Sequence, residues 1–470
     1  MASRAGAIER AEEYIDQGEF LEDLARWVAI PTQSQLPDHL PQLYRYLEEE
    51  IAPFFERIGF DYEIFDNQTE GKGPILVAQY IEDPALPTIL SYGHGDVVTA
   101  FKEEWREDLD PWVLKEEGDK LYGRGVVDNK GQHLIAMRAV EKVMEERDGA
   151  LGFNAKFIIE TGEEQGSHGL EPFIKDHTDL LACDVFFNID GPRHSKDRPE
   201  LSLGNRGATY LDLEVDLNRK GGLHSGHWGG VLPDAGIILT QAMSTVTTPK
   251  GRILIDDWLP KTVSNSVRAA ARDLVADPLD NIPEPDPEWG DTTMGPREKS
   301  MTTTGFIVLA FSCGNPDNPV NAVPSHAKAR CQIRHTVDVP RETFAPALVK
   351  HFKEKGFEIV TVTEQGGDLF PATRTEPDEP WVQWCIQSIK ETTGKAVNVA
   401  PSSGGSSPRG WLADYLACPA IAIPHSYFGC GQHGPNEHGL KSLFREGIGY
   451  MTGLYWDAGE AGTPTVIRAD

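Results

Sequence analysis

Five short segments each follow an apolar, strand-like run and carry a histidine or a carboxylate. They are residues 93–96 (GHGD), 125–129 (GVVDN), 160–164 (ETGEE), 188–191 (NIDG) and 431–437 (GQHGPNE). Histidine nitrogens and carboxylate oxygens are ligands of zinc and similar divalent ions, and two such ions can share one carboxylate. The set therefore predicts a dinuclear metal site in a metal-dependent hydrolase.

Each residue of this set suits one role at such a site. Asp128 is the candidate for the carboxylate that bridges both ions. His94 and Asp190 would complete the shell of one ion, and Glu164 and His433 would complete the other. Singly, each has a structural explanation, as a core histidine, a turn former or a helix N-cap. Uncompensated carboxylates at five strand ends would cost stability, so the whole set favours the metal site.

Two further carboxylates lie beside these ligands. Asp96 follows His94 by two residues and is placed to orient that imidazole. Glu163 and Glu164 are adjacent in a turn, so one can bind metal while the other faces the substrate. Metal binding lowers the pKa of water to roughly 7. Glu163 is therefore the candidate general base, which takes the proton of that water and later hands it to the leaving amine.

Alternating strand and helix patterns must position these residues. Such alternation predicts an α/β domain with a mostly parallel sheet and helices on both faces. In such sheets functional residues lie beyond the carboxyl ends of the strands, where the candidate ligands stand. The predicted strands are 75–80, 88–92, 155–160, 185–189 and 420–424, and the predicted helices are 8–28, 40–58, 132–146, 381–392 and 441–456, with another from residue 170.

The pattern changes after residue 201 and returns near residue 373. Because 470 residues exceed what one hydrophobic core usually holds, we expect two domains. We predict a discontinuous catalytic domain of residues 1–205 and 373–470, interrupted by an inserted α+β, ferredoxin-like domain over residues 206–372. The inserted strands are predicted at 209–217, 306–311, 327–335 and 358–363, and its helices at 235–246 and 343–355.

Composition limits the partners and the compartment. The chain has 44 basic and 73 acidic side chains, and its formal charge of −29 repels nucleic acid and anionic lipid surfaces. No apolar run approaches the length that spans a bilayer, and residues 1–16 are polar, unlike a secretory signal. The six cysteines include no CxxC pair. We therefore expect a cytoplasmic protein with reduced thiols and no nucleic-acid or membrane partner.

Together these motifs resemble the carnosinase-like members of the dinuclear metallopeptidases that include aminoacylase and carboxypeptidase G. The resemblance covers nearly the whole chain and implies two divalent ions, with zinc as first candidate and manganese or cobalt open. It also implies a cis peptide between Asp128 and Asn129. An aspartate at position 190 resembles the dipeptidase and aminopeptidase branch. The implied metal ligands and base are His94, Asp128, Glu164, Asp190, His433 and Glu163.

In that family the inserted domain is a lid with a role in dimerisation. Residues 223–226 (LHSG) resemble its lid motif, which implies that His224 reaches a neighbouring subunit's active site and stabilises the oxyanion. Residues 321–324 (NAVP) with Arg334, and the loop 404–408 (GGSSP), resemble the parts that hold a substrate carboxylate, a task for which a guanidinium is suited. The resemblance thus implies a homodimer. Its implied substrate-binding residues are Arg334, Ser406, Gly405 and Asn321.

The leading prediction is hydrolysis of the amide bond of a dipeptide or similar small carboxylate-bearing amide. An amidohydrolase or deacylase acting on an N-acyl amino acid or an unusual aryl amide stays open. A catalytically inactive scaffold is a third possibility, although no ligand position is empty. His425 and His438 are rival ligands, but only His433 has a glutamate four residues later. Residues 402–407 lack the GxSxG elbow of a serine hydrolase.

Overall fold

A computed structural model describes residues 2–219, 223–278, 283–366 and 370–464, and an eight-stranded sheet forms its centre. Four neighbouring strand pairs are parallel and three are antiparallel. The largely parallel sheet is thus confirmed. In spatial order its strands are Asp61–Phe65, Ile75–Tyr80, Asn154–Glu160, Thr88–His94, Val185–Asn188, Ala420–Ala422, Glu200–Ser202 and Asn398–Ala400.

Helices cover both faces of this sheet, as predicted. Ile89 and Leu90 are neighbours in one strand, yet they belong to different hydrophobic clusters, because successive side chains point to opposite faces. A strand covered on both faces buries both sets of its side chains, and every residue of Asn154–Glu160 is buried. One face packs against Arg4–Asp16, Glu19–Val28, Lys130–Glu146, Pro380–Thr393 and Lys441–Ala458, and the other against Leu170–Asp176, Thr178–Leu181 and Arg409–Leu416.

The predicted helix over residues 8–28 was wrong as a single element. It is two helices, because Gly18 between them adopts φ +89°, a left-handed conformation that ends a helix and suits glycine. Residues 40–58 form a helix that changes character along its length, with a π-helical turn in the middle. Its parts are Leu40–Tyr46, Leu47–Ile51 and Ala52–Arg57.

A second, four-stranded antiparallel sheet lies in the predicted insertion. Its spatial order is Gly305–Ser312, His326–His335, Gly207–Asp216 and Thr361–Gln365, so in chain order the strands run 2-3-1-4. Helices Ala235–Met243 and Phe344–Glu354 connect strands one to two and three to four. This is the ferredoxin-like arrangement that the sequence predicts, with a hydrophobic cluster of its own. The domain limits at 205/206 and 372/373 stay a prediction.

Further elements are two helices of the insertion and several short strands. Helices Asn265–Asp273 and Pro296–Thr302 lie within the insertion. No helix within the described ranges is long and apolar enough to cross a membrane. The short strand sets are Lys115–Glu117 with Lys120–Tyr122 and His438–Leu440, Pro192–Arg193 with Ser426–Tyr427, and Gly204–Asn205 with Thr373–Arg374.

Candidate metal centre

Three adjacent parallel strands end at the candidate metal centre. His94 is the last residue of Thr88–His94, Asp190 follows Val185–Asn188, and Glu164 lies in the turn after Asn154–Glu160. Because parallel strands present their carboxyl ends at the same edge of a sheet, these side chains converge there. Asp128 joins them from the turn before helix Lys130–Glu146.

The predicted ligands form two clusters that share Asp128. In the first, His94 Nε2 lies 3.1 Å from Asp128 Oδ1 and 4.0 Å from Asp190 Oδ1. In the second, His433 Nε2 lies 3.0 Å from Asp128 Oδ2 and 3.2 Å from Glu164 Oε2. Within each cluster, one potential ligand atom from every residue lies within 4.8 Å of the others. Each cluster could therefore hold one metal ion.

Glu164 shows that a cation fits this arrangement. Its Oε1 atom is buried and has no hydrogen-bond partner, although buried polar atoms are nearly always satisfied. Burial and the neighbouring charge of Asp128 raise the pKa of Glu164 to about 7. Burial likewise raises the pKa of Asp190. Crowded carboxylates with imidazole nitrogens form a donor set that suits zinc, manganese or cobalt.

Asp96 ties two of the strand ends together. It is fully buried, and its Oδ1 atom lies 3.4 Å from His94 Nδ1. The same carboxylate accepts hydrogen bonds from the backbone N–H groups of Glu163 and Glu164, at 3.2 and 3.1 Å. Asp96 thus contacts the imidazole, as the sequence indicates, and it also holds the turn that carries both glutamates.

Asn129 is a positioning residue that the sequence reasoning did not single out for this role. The peptide bond between Asp128 and Asn129 is cis, as the family resemblance implies. Asn129 Nδ2 donates to Asp190 Oδ1 at 2.9 Å, and its Oδ1 accepts from the backbone N–H of His94 at 3.3 Å. One amide therefore orients two candidate ligands of the same cluster. Its place beside Asp128 was the signal available in the sequence.

A buried ion pair fixes the loop that carries His433. Arg124 Nη1 lies 2.6 Å from Glu437 Oε2, and both side chains are at most 2% exposed. Glu437 also accepts from the backbone N–H of Val127, and Arg124 donates to the carbonyl of Gly434. The pair thus joins the His433 loop to the turn of Asp128. The sequence showed Glu437 only as the glutamate four residues after His433.

The two rival histidines have other partners. His425 is fully buried, and its Nδ1 atom lies 2.8 Å from the hydroxyl of Tyr450. His438 packs beside Tyr122 and bonds a backbone carbonyl. Neither belongs to the two ligand clusters, in which His433 alone represents the final loop.

A cavity of about 490 Å³ opens beside these clusters. Glu163, Asp190 and His433 line it, and so do Gly405 and Ser406 of the glycine-serine loop. Burial, opposed by His94 and reinforced by neighbouring carboxylates, raises the pKa of Glu163 well above its ordinary value. A carboxyl group with a raised pKa beside a metal cluster can both accept and return a proton.

Comparison with known proteins agrees with this geometry. Residues 90–457 match Peptidase family M20/M25/M40. The chain belongs to this family. It is 33% identical over 267 residues to a Beta-Ala-His dipeptidase of Rattus norvegicus, and the aligned residues cover 53% of each protein. It is 26% identical over 398 residues to a Cysteinylglycine-S-conjugate dipeptidase of Corynebacterium striatum, covering 82% of this chain and 83% of that protein.

Solved structures of the M20/M25/M40 family share the fold. An M20 family metallo-carboxypeptidase from Sulfolobus solfataricus superposes with a TM-score of 0.76 over 94% of this chain and 99% of that one, at 23% identity. The chain spans only 53–60% of the length of the mammalian Beta-Ala-His dipeptidases that it matches.

The predicted substrate-binding residues and the predicted oxyanion donor His224 divide into two groups in this M20/M25/M40 chain. Arg334 Nη1 donates to Ser406 Oγ at 2.9 Å, so Arg334 adjoins the cavity wall. His224 and Asn321 are instead exposed in the insertion, near each other, since the residue after His224 bonds the carbonyl of Asn321. Neither lines the cavity that holds Glu163.

Proposed function

We propose that this chain is a dinuclear metal-dependent dipeptidase, which hydrolyses the amide bond of a dipeptide or a similar small carboxylate-bearing amide. The observation that carries the proposal is the pair of ligand clusters that share Asp128 beside the cavity of Glu163. The dipeptidase names of the sequence relatives support the same substrate class.

The proposed ligands divide between two ions. His94, Asp128 and Asp190 would hold one, and Asp128, Glu164 and His433 would hold the other. When bound, the ions supply Lewis acidity toward the scissile carbonyl and make water a stronger acid. Zinc is the first candidate, and manganese or cobalt suit the same donors.

Glu163 moves the proton in the proposed reaction. Its carboxylate takes a proton from the attacking water and gives it to the nitrogen of the leaving amine. Burial raises the pKa of Glu163, which makes its carboxylate a stronger base toward that water. Asp96 positions Glu163, because its carboxylate accepts a hydrogen bond from the backbone N–H of Glu163.

Arg334 is the proposed anchor for the substrate's terminal carboxylate. A guanidinium binds a carboxylate in a two-pronged fork, which fixes orientation as well as charge. Its hydrogen bond to Ser406 places it beside the loop that lines the cavity, with Gly405 next in the chain. Asn321, which lies beside the His224 motif in the insertion, would also bind the substrate.

A homodimer would bring His224 to an active site. His224 is exposed and does not line the cavity of its own subunit, which supports a role across an interface. The edge strand Gly305–Ser312 offers unpaired backbone groups to a second copy. It also exposes apolar side chains, a feature of interaction surfaces. These side chains, 38–50% exposed, are Ile307, Val308, Leu309 and Phe311.

In that dimer His224 would donate a hydrogen bond to the oxyanion of the partner's substrate. The insertion of residues 206–372 would act as the lid and dimerisation domain on the catalytic domain of residues 1–205 and 373–470. The cytoplasm stays the predicted compartment, as the reduced state expected for the scattered cysteines suggests.

A paired substrate panel tests the proposed activity. The purified protein, loaded with zinc or manganese, is assayed with free dipeptides and with their N-acetylated counterparts. We expect cleavage of the free dipeptides, loss of activity with a chelator and recovery when metal is restored. Cleavage of only the acylated or aryl amides would assign an amidohydrolase instead. No cleavage by metal-loaded protein would indicate the inactive scaffold.

A further inference from the structure

Arg409 is a buried cation without an anion. Among the described residues, three arginine side chains are almost wholly buried, with at most 2% exposed: Arg124, Arg193 and Arg409. The first two pair with carboxylates at 2.6 and 2.8 Å. Arg409 forms no ion pair with any residue in the described part of the chain. Its Nη1 atom donates to the backbone carbonyl of Ser202 at 2.7 Å, and its Nε atom has no partner.

Such a group is expensive to bury unless an anion joins it. Removing a charge from water costs several kcal/mol in a protein interior, and a paired counter-ion offsets that cost. Burial lowers the pKa of Arg409 to about 10, which leaves the guanidinium charged at neutral pH. No carboxylate in the described ranges forms an ion pair with it, which leaves the guanidinium available to an anion that the protein binds.

The position of Arg409 indicates where this partner comes from. Arg409 lines the cavity of about 490 Å³ that Glu163 also lines. Two serines that line the same cavity, Ser202 and Ser407, have buried hydroxyl groups without a hydrogen-bond partner among the described residues. Hydroxyls donate readily to carboxylates. One guanidinium and two unsatisfied hydroxyls thus belong to residues that line the cavity beside the candidate metal centre.

The nearby carboxylates do not neutralise Arg409. Glu200 lines the same cavity, but His194 occupies both of its oxygens, through its ring Nδ1 and its backbone N–H, each at 2.9 Å. Asp190 influences Arg409 only at longer range, and its Oδ1 atom already accepts from Asn129 and Gly191.

We propose that Arg409, with Ser202 and Ser407, forms a subsite for a second carboxylate of the substrate, namely the side chain of an aspartyl or glutamyl residue. This subsite is separate from the one proposed for the terminal carboxylate at Arg334. The inference rests on the proposed dipeptidase function and narrows it to acidic dipeptides. Nothing in the sequence motifs pointed to Arg409, because only burial reveals that its charge is unpaired.

Isosteric substrates test the subsite. Aspartyl and asparaginyl dipeptides of the same sequence differ by one charge, with the acidic residue placed first or second. A charged hydrogen-bonded pair contributes about 1.5–3 kcal/mol, so wild type should prefer the acidic member of one pair by roughly tenfold or more in kcat/KM. Arg409→Met should reduce that ratio to about one. Arg409→Lys, which keeps charge but loses the fork, should give an intermediate ratio.

Binding to an inactive variant separates the two proposals. Calorimetry with metal-loaded Glu163→Gln protein, with and without Arg409→Met, measures the affinities for aspartyl-glycine, asparaginyl-glycine, glycyl-aspartate and glycyl-asparagine without hydrolysis. If Arg409→Met selectively weakens binding of an acidic dipeptide, the subsite is supported. This conclusion holds even if the wild type cleaves no dipeptide, because a lack of cleavage would reject only the proposed activity. Equal affinity of both members of each pair for the protein with Arg409 intact overturns the subsite. Circular dichroism tests whether each variant is folded. If Arg409→Met is unfolded, Arg409→Lys replaces it in the binding experiment.

Discussion

Glu163 is the residue at which the proposed chemistry can be tested most directly. Glu163→Gln keeps the shape of the side chain but removes the proton acceptor, so we expect kcat to fall about a hundredfold to ten-thousandfold. The metal content, measured by inductively coupled plasma mass spectrometry, should not change. The neighbouring change Glu164→Gln removes a proposed ligand and should lower metal content as well. Full activity of Glu163→Gln would remove Glu163 as the base.

Glu160 predicts a pH dependence of stability. It is 2% exposed, and burial together with the charge of Asp96 raises its pKa from 4.5 to about 7. A raised carboxyl pKa gives stability that is present below pH 4.5 and lost as pH rises through 7. Relative to Glu160→Gln, the free energy of unfolding of the metal-free wild type should fall by about 3 kcal/mol across this window. Urea denaturation at several pH values measures it, and a constant difference would contradict the assignment.

At the scale of elements, the Arg124–Glu437 pair is expected to hold the His433 loop against the turn of Asp128. Glu437→Gln leaves a buried guanidinium without its anion, which costs about 3–5 kcal/mol of unfolding free energy. The matched control is Glu49→Gln in the exposed pair Arg45–Glu49, which should cost less than about 1 kcal/mol. Denaturant unfolding measures both. Equal effects of the two substitutions would show that the buried pair has no special role.

At the scale of the whole molecule, the proposed dimer predicts complementation between two inactive variants. Glu163→Gln lacks the base and His224→Ala lacks the oxyanion donor, so each homodimer should be nearly inactive. A mixed dimer has one site with both residues, provided that His224 acts across the interface. Random mixing should therefore recover about a quarter of wild-type activity. No recovery after subunit exchange, which native mass spectrometry verifies, would assign His224 to its own subunit or to no catalytic role.

Sequence patterns alone predicted the sheet, the helices on both faces and the ferredoxin-like insertion. Periodicity encodes these features because alternate residues of a strand, and every third or fourth residue of a helix, share a face. The histidine and carboxylate motifs also included all five residues that the structure brings together in the two candidate clusters. His94, Glu164 and Asp190 follow neighbouring parallel strands, so the sheet topology brings these three together. The turn of Asp128 and the loop of His433 join them only through tertiary packing. The break at Gly18 was missed, because helical spacing continues across it.

Only the tertiary structure decided which partners the buried charges have. Arg124 and Glu437 are 313 residues apart in the chain, and Arg334 and Ser406 are 72 apart. No local pattern relates such positions, since their contacts depend on how whole elements pack. Arg409 resembles any other arginine in the sequence. Packing buries Arg409 beside the cavity without an ion-paired carboxylate. Because the guanidinium is removed from water, the lack of a counter-ion becomes energetically costly.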